Sequence, residues 1–167
     1  MDFQKALIAE YDRETASTRK MLEAIPADVD FNHKPHPKSM SLGRLAGHVA
    51  ETAGQWAMSA LAKDKIEMAA GEKYEPYIPA SKEALLARFD KETGETKAVL
   101  AAFKPEQWDS NWKFVAGDQT WIDDTKYEVW RVWVVNHLIH HRAQLGVYLR
   151  LLNKPVPGTY GPSADGM

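Results

Sequence analysis

Apolar residues recur at three- and four-residue steps in four separate stretches of this chain, the spacing that gathers them on one face of an α-helix. A chain patterned this way must bury four amphipathic faces against one another. The first stretch runs from about Asp2 to Ile25, with Phe3, Leu7, Tyr11, Thr18, Met21 and Leu22 in register. Pro26 closes it, because proline has no amide hydrogen and clashes with the preceding turn. The second runs from about Leu42 to Ala62 on Leu45, Val49, Ala53 and Trp56, with Ser39 or Ser41 as its cap. The third runs from Ser81, a good cap, to Phe103. Gly94 lies inside it and weakens it by about 1 kcal/mol relative to alanine, which puts its continuity in question. The fourth runs from Thr125 to about Leu152. It opens on Thr125-Lys126-Tyr127-Glu128, the pattern in which cap and glutamate side chains satisfy each other's amides.

The connections carry proline, glycine and polar residues. Residues 105–124 are the least regular. They read either as an ordered loop, the favoured assignment, or as a small hairpin around Gly117-Asp118. The tail from Asn153 is rich in proline and glycine and reads as extended. Strand signals are otherwise nearly absent. The expected fold is therefore all-α, a four-helix bundle in a single domain over residues 1–167.

Composition narrows the function. The net charge is -2 and no basic block stands out, so a nucleic-acid role lacks an electrostatic footprint. No apolar run is long enough to span a bilayer, and the acidic, amphipathic N-terminus does not read as a signal peptide; a cytoplasmic location is the default expectation. Cysteine is absent, which removes disulfides, thiolate nucleophiles and cysteine-based zinc sites. Any metal must be held by His, Asp or Glu.

The histidines point to such a site. With Trp130 as zero and about 100° per residue, His137 falls at about −20° and His141 at about +20°. Both then lie in the middle of the apolar stripe of the fourth helix, and His140 lies at its margin. Burying two imidazoles one turn apart without partners is costly. A shared metal ion resolves that, since i, i+4 side chains point the same way and neutral imidazole is a common ligand. His48, at about −60° from Leu45, is the third candidate, at the edge of its stripe. Three protein ligands leave a position open for water or substrate. The zinc-protease motif HExxH is not met, because Leu138 stands where its glutamate would be. Glu51 points further from the stripe and is a candidate supporting group for His48. His33 and His36 read as residues of a solvated loop. Trp130, Trp133 and Tyr148 are expected in the core or a pocket wall, and Arg142 on the surface or at a subunit contact.

The stretches SLGRLAGHVAETAGQW and NHLIHHRAQLGVYLRLLNKPVP, with the tail YGPSADGM, resemble the DinB/YfiT-like family over nearly the whole chain. The resemblance implies a four-helix bundle with a long crossover connection, usually homodimeric. It implies a divalent ion, zinc or nickel, on three histidines, which map onto His48, His137 and His141. It further implies metal-dependent transfer of a low-molecular-weight thiol such as bacillithiol or mycothiol, or thiol-dependent isomerisation; a water rather than a thiol in the open metal position would instead make the chain a hydrolase, and either way the expected substrates are small electrophiles. The competing reading is a non-catalytic metal- or ligand-binding bundle with a stress-related role. No catalytic base can be assigned from the sequence.

Overall fold

The computed structural model of the chain describes residues 2–166. Four long helices form the body. Helix α1 is Phe3–Glu23. Helix α2 spans residues 42–62 and is built of Leu42–Glu51, a π-helical segment Thr52–Trp56, and Ala57–Ala62. Helix α3 is Lys82–Ala102. Helix α4 spans residues 126–151, with a first turn Lys126–Glu128, a π-helical segment Val129–Asn136, and His137–Leu151. None is long and apolar enough to cross a membrane.

The helices start where side chains accept their free amides. Asp2 caps α1, Ser41 caps α2 and Ser81 caps α3. Thr125 accepts the Glu128 amide at 3.2 Å, but its own amide goes to the Asp124 carboxylate at 2.8 Å rather than to Glu128. The expected capping box is thus half formed, and the neighbouring aspartate supplies the other half. Gly94 does not interrupt α3, and a Cβ there would meet nothing within 4 Å.

The all-α expectation needs correction. Among the described residues there is a three-stranded sheet of β1 (Lys65–Met68), β2 (Asn111–Ala116) and β3 (Gln119–Thr125). Strand β1 pairs parallel to β2, and β2 pairs antiparallel to β3. The hairpin reading of residues 105–124, not the favoured loop, is the one observed. Gly117 at the turn has φ +56, a left-handed conformation that glycine adopts without a Cβ penalty. Tertiary packing stabilises so short a sheet. Trp112 and Ile122 are buried against the helices, and the Trp112 indole donates to the Ser59 carbonyl at 3.1 Å.

Two apolar clusters fill the bundle. One gathers Leu22, Leu42, Leu45, Phe89, Leu138 and Leu145. The other, toward the sheet, gathers Tyr11, Leu100, Trp108, Trp112, Trp130 and Val134. Between them the two π-helical segments pack against each other. A π turn takes one residue more than an α turn and frees a carbonyl from its usual partner. Hydroxyls from the flanking helices reach such carbonyls: Tyr11 donates to Ala53, and Thr96 to Gly54 at 3.4 Å.

The π segment of α4 also re-phases the helix within it and beyond it. Trp133, expected in the core or a pocket wall, is 43% exposed. Arg142, expected at the surface, is 2% exposed. Its guanidinium meets the buried Glu14 carboxylate at 2.8 Å, the Glu14 carbonyl at 3.0 Å and the Tyr160 hydroxyl at 2.7 Å. Tyr160 also donates to Glu14 at 2.7 Å, so this pair ties the C-terminal tail to α1 and α4. Removing one partner strands a buried charge. Arg142→Leu is expected to lower unfolding stability by about 3–5 kcal/mol in urea denaturation; a loss below 1 kcal/mol would refute the structural importance of the pair.

Candidate metal centre

Helices α2 and α4 bring His48, His137 and His141 together. Each offers one ring nitrogen, and these atoms lie within 4.8 Å of one another. His48 Nε2 and His137 Nε2 are 3.2 Å apart. Two nitrogens each about 2.0–2.1 Å from one ion would stand about 3.0–3.4 Å apart, depending on its geometry. Ring centroids are 4.5 Å apart for His48 and His141, and 4.6 Å for His137 and His141.

The cluster sits at the edge of the core rather than at its centre, as the uncorrected periodicity had it for His137 and His141. Counted from Leu145, beyond the π segment, Leu138 and Leu149 lie at about +20° and +40°. His141 then lies at about −40° and His137 at about −80°. His141 is buried, while His48 and His137 are half-buried. The cluster is therefore fixed by the core on one side and reachable on the other.

Two of the three rings have a side-chain neighbour that orients them. His141 Nδ1 faces Gln144 Oε1 at 2.8 Å; the amide oxygen can only accept, so Nδ1 carries the hydrogen and Nε2 keeps its lone pair. The Gln144 amide nitrogen in turn donates to His140 Nε2 at 3.0 Å. His140 is thus a flanking residue outside the cluster, and neither His33 nor His36 joins it. His48 Nδ1 lies 3.5 Å from Glu51 Oε2 and 3.4 Å from Arg44 Nη2. Nε2 faces the cluster, 3.2 Å from His137 Nε2; a neutral ring that keeps its Nε2 lone pair for a metal carries its hydrogen on Nδ1, where the Glu51 carboxylate can accept it and the Arg44 guanidinium, a donor only, cannot.

Glu51 is the group that sequence reasoning undervalued. Its carboxylate is 1% exposed. Oε1 accepts the Tyr74 hydroxyl and the Tyr77 amide, both at 2.6 Å, and Oε2 accepts Arg44 Nη1 at 2.8 Å. Burial by itself raises its pKa, but hydrogen bonds from His48, Tyr74 and the Tyr77 amide, with the Arg44 charge, outweigh that and bring it to about 2. Tyr74 and Tyr77 belong to the connection between β1 and α3, whose partner on α2 no local pattern reveals. Gly47 permits the approach, since a Cβ there would collide with the Tyr77 carbonyl.

Burial and the neighbouring His48 push the His137 pKa down. Burial, only partly offset by Gln144, pushes His141 down to about 4. Both rings are therefore neutral near pH 7, the state in which imidazole can ligate. Three converging imidazoles, with carboxylate and amide groups behind two of them, suit a divalent ion.

The chain is thus a helical bundle with a small sheet at one end and a three-histidine cluster compatible with a divalent metal between two of its helices. It belongs to the DinB superfamily, whose family model matches residues 10–145. Its fold is similar to that of a DinB-like protein from Bacillus cereus ATCC 10987, at 21% identity and TM-score 0.71, covering 93% of this chain and 97% of that one. It is also similar to a DinB-like protein from Bacillus subtilis, at 21% identity and TM-score 0.67, covering 92% of this chain and 97% of that one. No curated protein matches the chain.

Two predictions follow from the geometry. Glu51→Gln should weaken zinc affinity about 10–100-fold while circular dichroism stays native, because the hydrogen-bond partner of a ligating histidine fixes its orientation and basicity; unchanged affinity in chelator competition would count against this role. The metal-free protein should also lose stability in acid. His137 and His141 have folded pKa values below the unfolded value of about 6.5, so the unfolded chain binds more protons as pH falls. The stability they contribute is complete above about pH 6.5 and declines as pH falls toward about 4. Melting curves in EDTA from pH 7.5 to 4 should show this, with a shallower slope for His141→Gln.

Proposed function

We propose that this protein is a divalent-metal-dependent enzyme acting on small electrophilic substrates, with His48, His137 and His141 as metal ligands and zinc or nickel as the ion. The observation that carries this reading is the position of the cluster: three imidazoles from two helices, two of them held by neighbouring side chains, half open at the core edge, rather than a closed four-ligand site of structural type. When bound, such an ion supplies Lewis-acid chemistry, lowering the pKa of a water or thiol that shares it. The chain's own residues do the positioning. Glu51 holds His48 through Nδ1, and Gln144 holds His141. A cavity of about 370 Å³ adjoins His141, with Leu45, Val147 and Tyr148 as apolar walls and Lys38 among its lining residues. A substrate seated there would lie beside the cluster.

The reaction class under this reading is thiol S-transfer from a low-molecular-weight thiol, or hydrolysis. Absence of cysteine from the chain accords with a thiol brought from outside. The reading includes a cytoplasmic homodimer. Support for the dimer comes from Trp133, Val147 and Leu151 on α4, which are 43%, 57% and 58% exposed and offer an apolar surface of the kind that subunits cover.

The test begins with elemental analysis of protein purified without an affinity tag, which is expected to return a single zinc or nickel ion per chain. Metal-loaded wild type, chelated protein and His141→Ala are then compared against electrophiles with and without several thiols. Activity is expected in the loaded wild type only. Turnover that survives complete metal removal would overturn the proposal. Metal binding that raises the melting temperature without any turnover would favour the non-catalytic metal-binding bundle instead.

A further inference from the structure

The sequence contains no Asp or Glu from Phe31 to Ala50, and none from Val129 to Ala164. Every residue lining the cavity of about 370 Å³ beside His141 belongs to one of these two stretches. Lys38 to Met40 and Leu45 come from the first, and the face of α4 from His141 to Tyr148 comes from the second. The lining therefore holds a lysine and no carboxylate.

The other cations of the two stretches are largely committed. Arg44 pairs with Glu51, Arg131 with Glu10, Arg142 with Glu14 and Arg150 with Asp165. Glu51, behind His48, is itself taken up by Arg44, Tyr74 and the Tyr77 amide. Among the described residues Lys38 has no carboxylate partner. The cavity thus carries an uncompensated positive charge, and a divalent ion on the histidines would add to it.

The wall that presents Lys38 is fixed in place. The Lys38 amide donates to His36 Nδ1 at 3.2 Å and the Ser39 amide to the His36 carbonyl at 2.9 Å. The Tyr148 hydroxyl donates to the Met40 carbonyl at 2.9 Å, which ties this turn to α4. The first amides of α2 are already used: Leu42 donates to the His33 carbonyl, Gly43 to the Phe31 carbonyl, and Arg44 to Ser41 Oγ. An anion in the cavity would therefore meet Lys38 rather than the helix end. Leu45, Val147 and Tyr148 supply apolar walls, and the volume is at the small end of ligand pockets, which run roughly 300–1,000 Å³.

We propose that the cavity beside His141 takes a small apolar carboxylate, with its apolar body between Leu45 and Val147 and its carboxylate paired with Lys38. Lys38 is then the residue that selects anionic substrates over neutral ones of the same shape. That this molecule is a substrate rests on the metal-dependent reading of the histidine cluster; its binding does not.

The experiment uses the full chain, metal-free and zinc-loaded, with phenylacetate and its neutral counterpart phenylacetamide titrated by NMR. Metal-free wild type is expected to bind phenylacetate about 5-fold more tightly than phenylacetamide, the size of preference that one partly exposed ion pair supplies. Lys38→Gln should remove that preference and leave phenylacetamide unchanged, whereas Lys38→Arg should keep it. Both changes fall on an exposed side chain, so the fold is not at stake. Lys34→Gln, on the same connection but outside the lining, should also keep the preference. Val147→Asp, which puts a carboxylate in the wall, should abolish phenylacetate binding. No preference for the carboxylate in wild type, a preference that persists in Lys38→Gln, or an equal loss in Lys34→Gln overturns the proposal. Binding of phenylacetate to the zinc-loaded protein alone, unaffected by Lys38→Gln, makes the carboxylate a metal ligand and also overturns it. Failure of zinc to bind overturns the metal-dependent reading and the word substrate with it, while the preference measured on metal-free protein still decides the anion site.

Discussion

A buried carboxylate holds the functional end of this bundle together. Glu51 draws a guanidinium, a phenol, a backbone amide and an imidazole onto two oxygens. An isolated carboxylate at that depth would be strongly disfavoured. Surrounded by donors it is held well below the ordinary carboxylate range, and its charge becomes an organising element. It docks the connection after β1 onto α2, and it orients His48. Arg142 and Glu14 play a comparable part on the other side of α4, where a buried ion pair and Tyr160 fasten the tail. In both places a buried carboxylate links segments far apart in the chain.

The two π-helical segments are the second constraint. They pack against each other between the apolar clusters, and each inserts extra residues into a helix whose pattern reads as regular. Beyond such a segment the same sequence faces a different direction. In α4 this turns Trp133 outward, brings Leu138 and Arg142 inward, and moves His137 and His141 from the stripe centre to its edge. The functional consequence is access. Imidazoles in the centre of the bundle would be sealed, whereas at the margin they are supported by the core and still reachable.

The small sheet completes the arrangement. Its strands are short and only Trp112 and Ile122 are anchored deeply, so it owes its stability to the helices it covers. In return it walls one side of α2 and sets the position from which the β1–α3 connection reaches Glu51. Membership of the DinB superfamily fits this architecture. The similarity to solved DinB-like structures at 21% identity speaks to fold alone.

The sequence by itself determined the four helices, the caps at Ser81 and Thr125 with Ser39 or Ser41 for the second helix, and, through the family resemblance for His48, the meeting of His48, His137 and His141. Those features rest on local periodicity, on the four-residue spacing of one histidine pair and on a family-specific pattern, all of which survive without knowledge of long-range packing. Tertiary structure decided the rest. The sheet forms because Trp112 and Ile122 find helices to cover them; local strand signals were too weak to announce it. Arg142 is internal because Glu14, far away in the chain, receives it. Glu51 matters because Tyr74 and Tyr77 arrive from a connection with no periodic signature. The phase of α4 shifts because its π segment packs against that of α2. Each of these depends on a partner distant in sequence, and an angular count along a single helix contains no information about it.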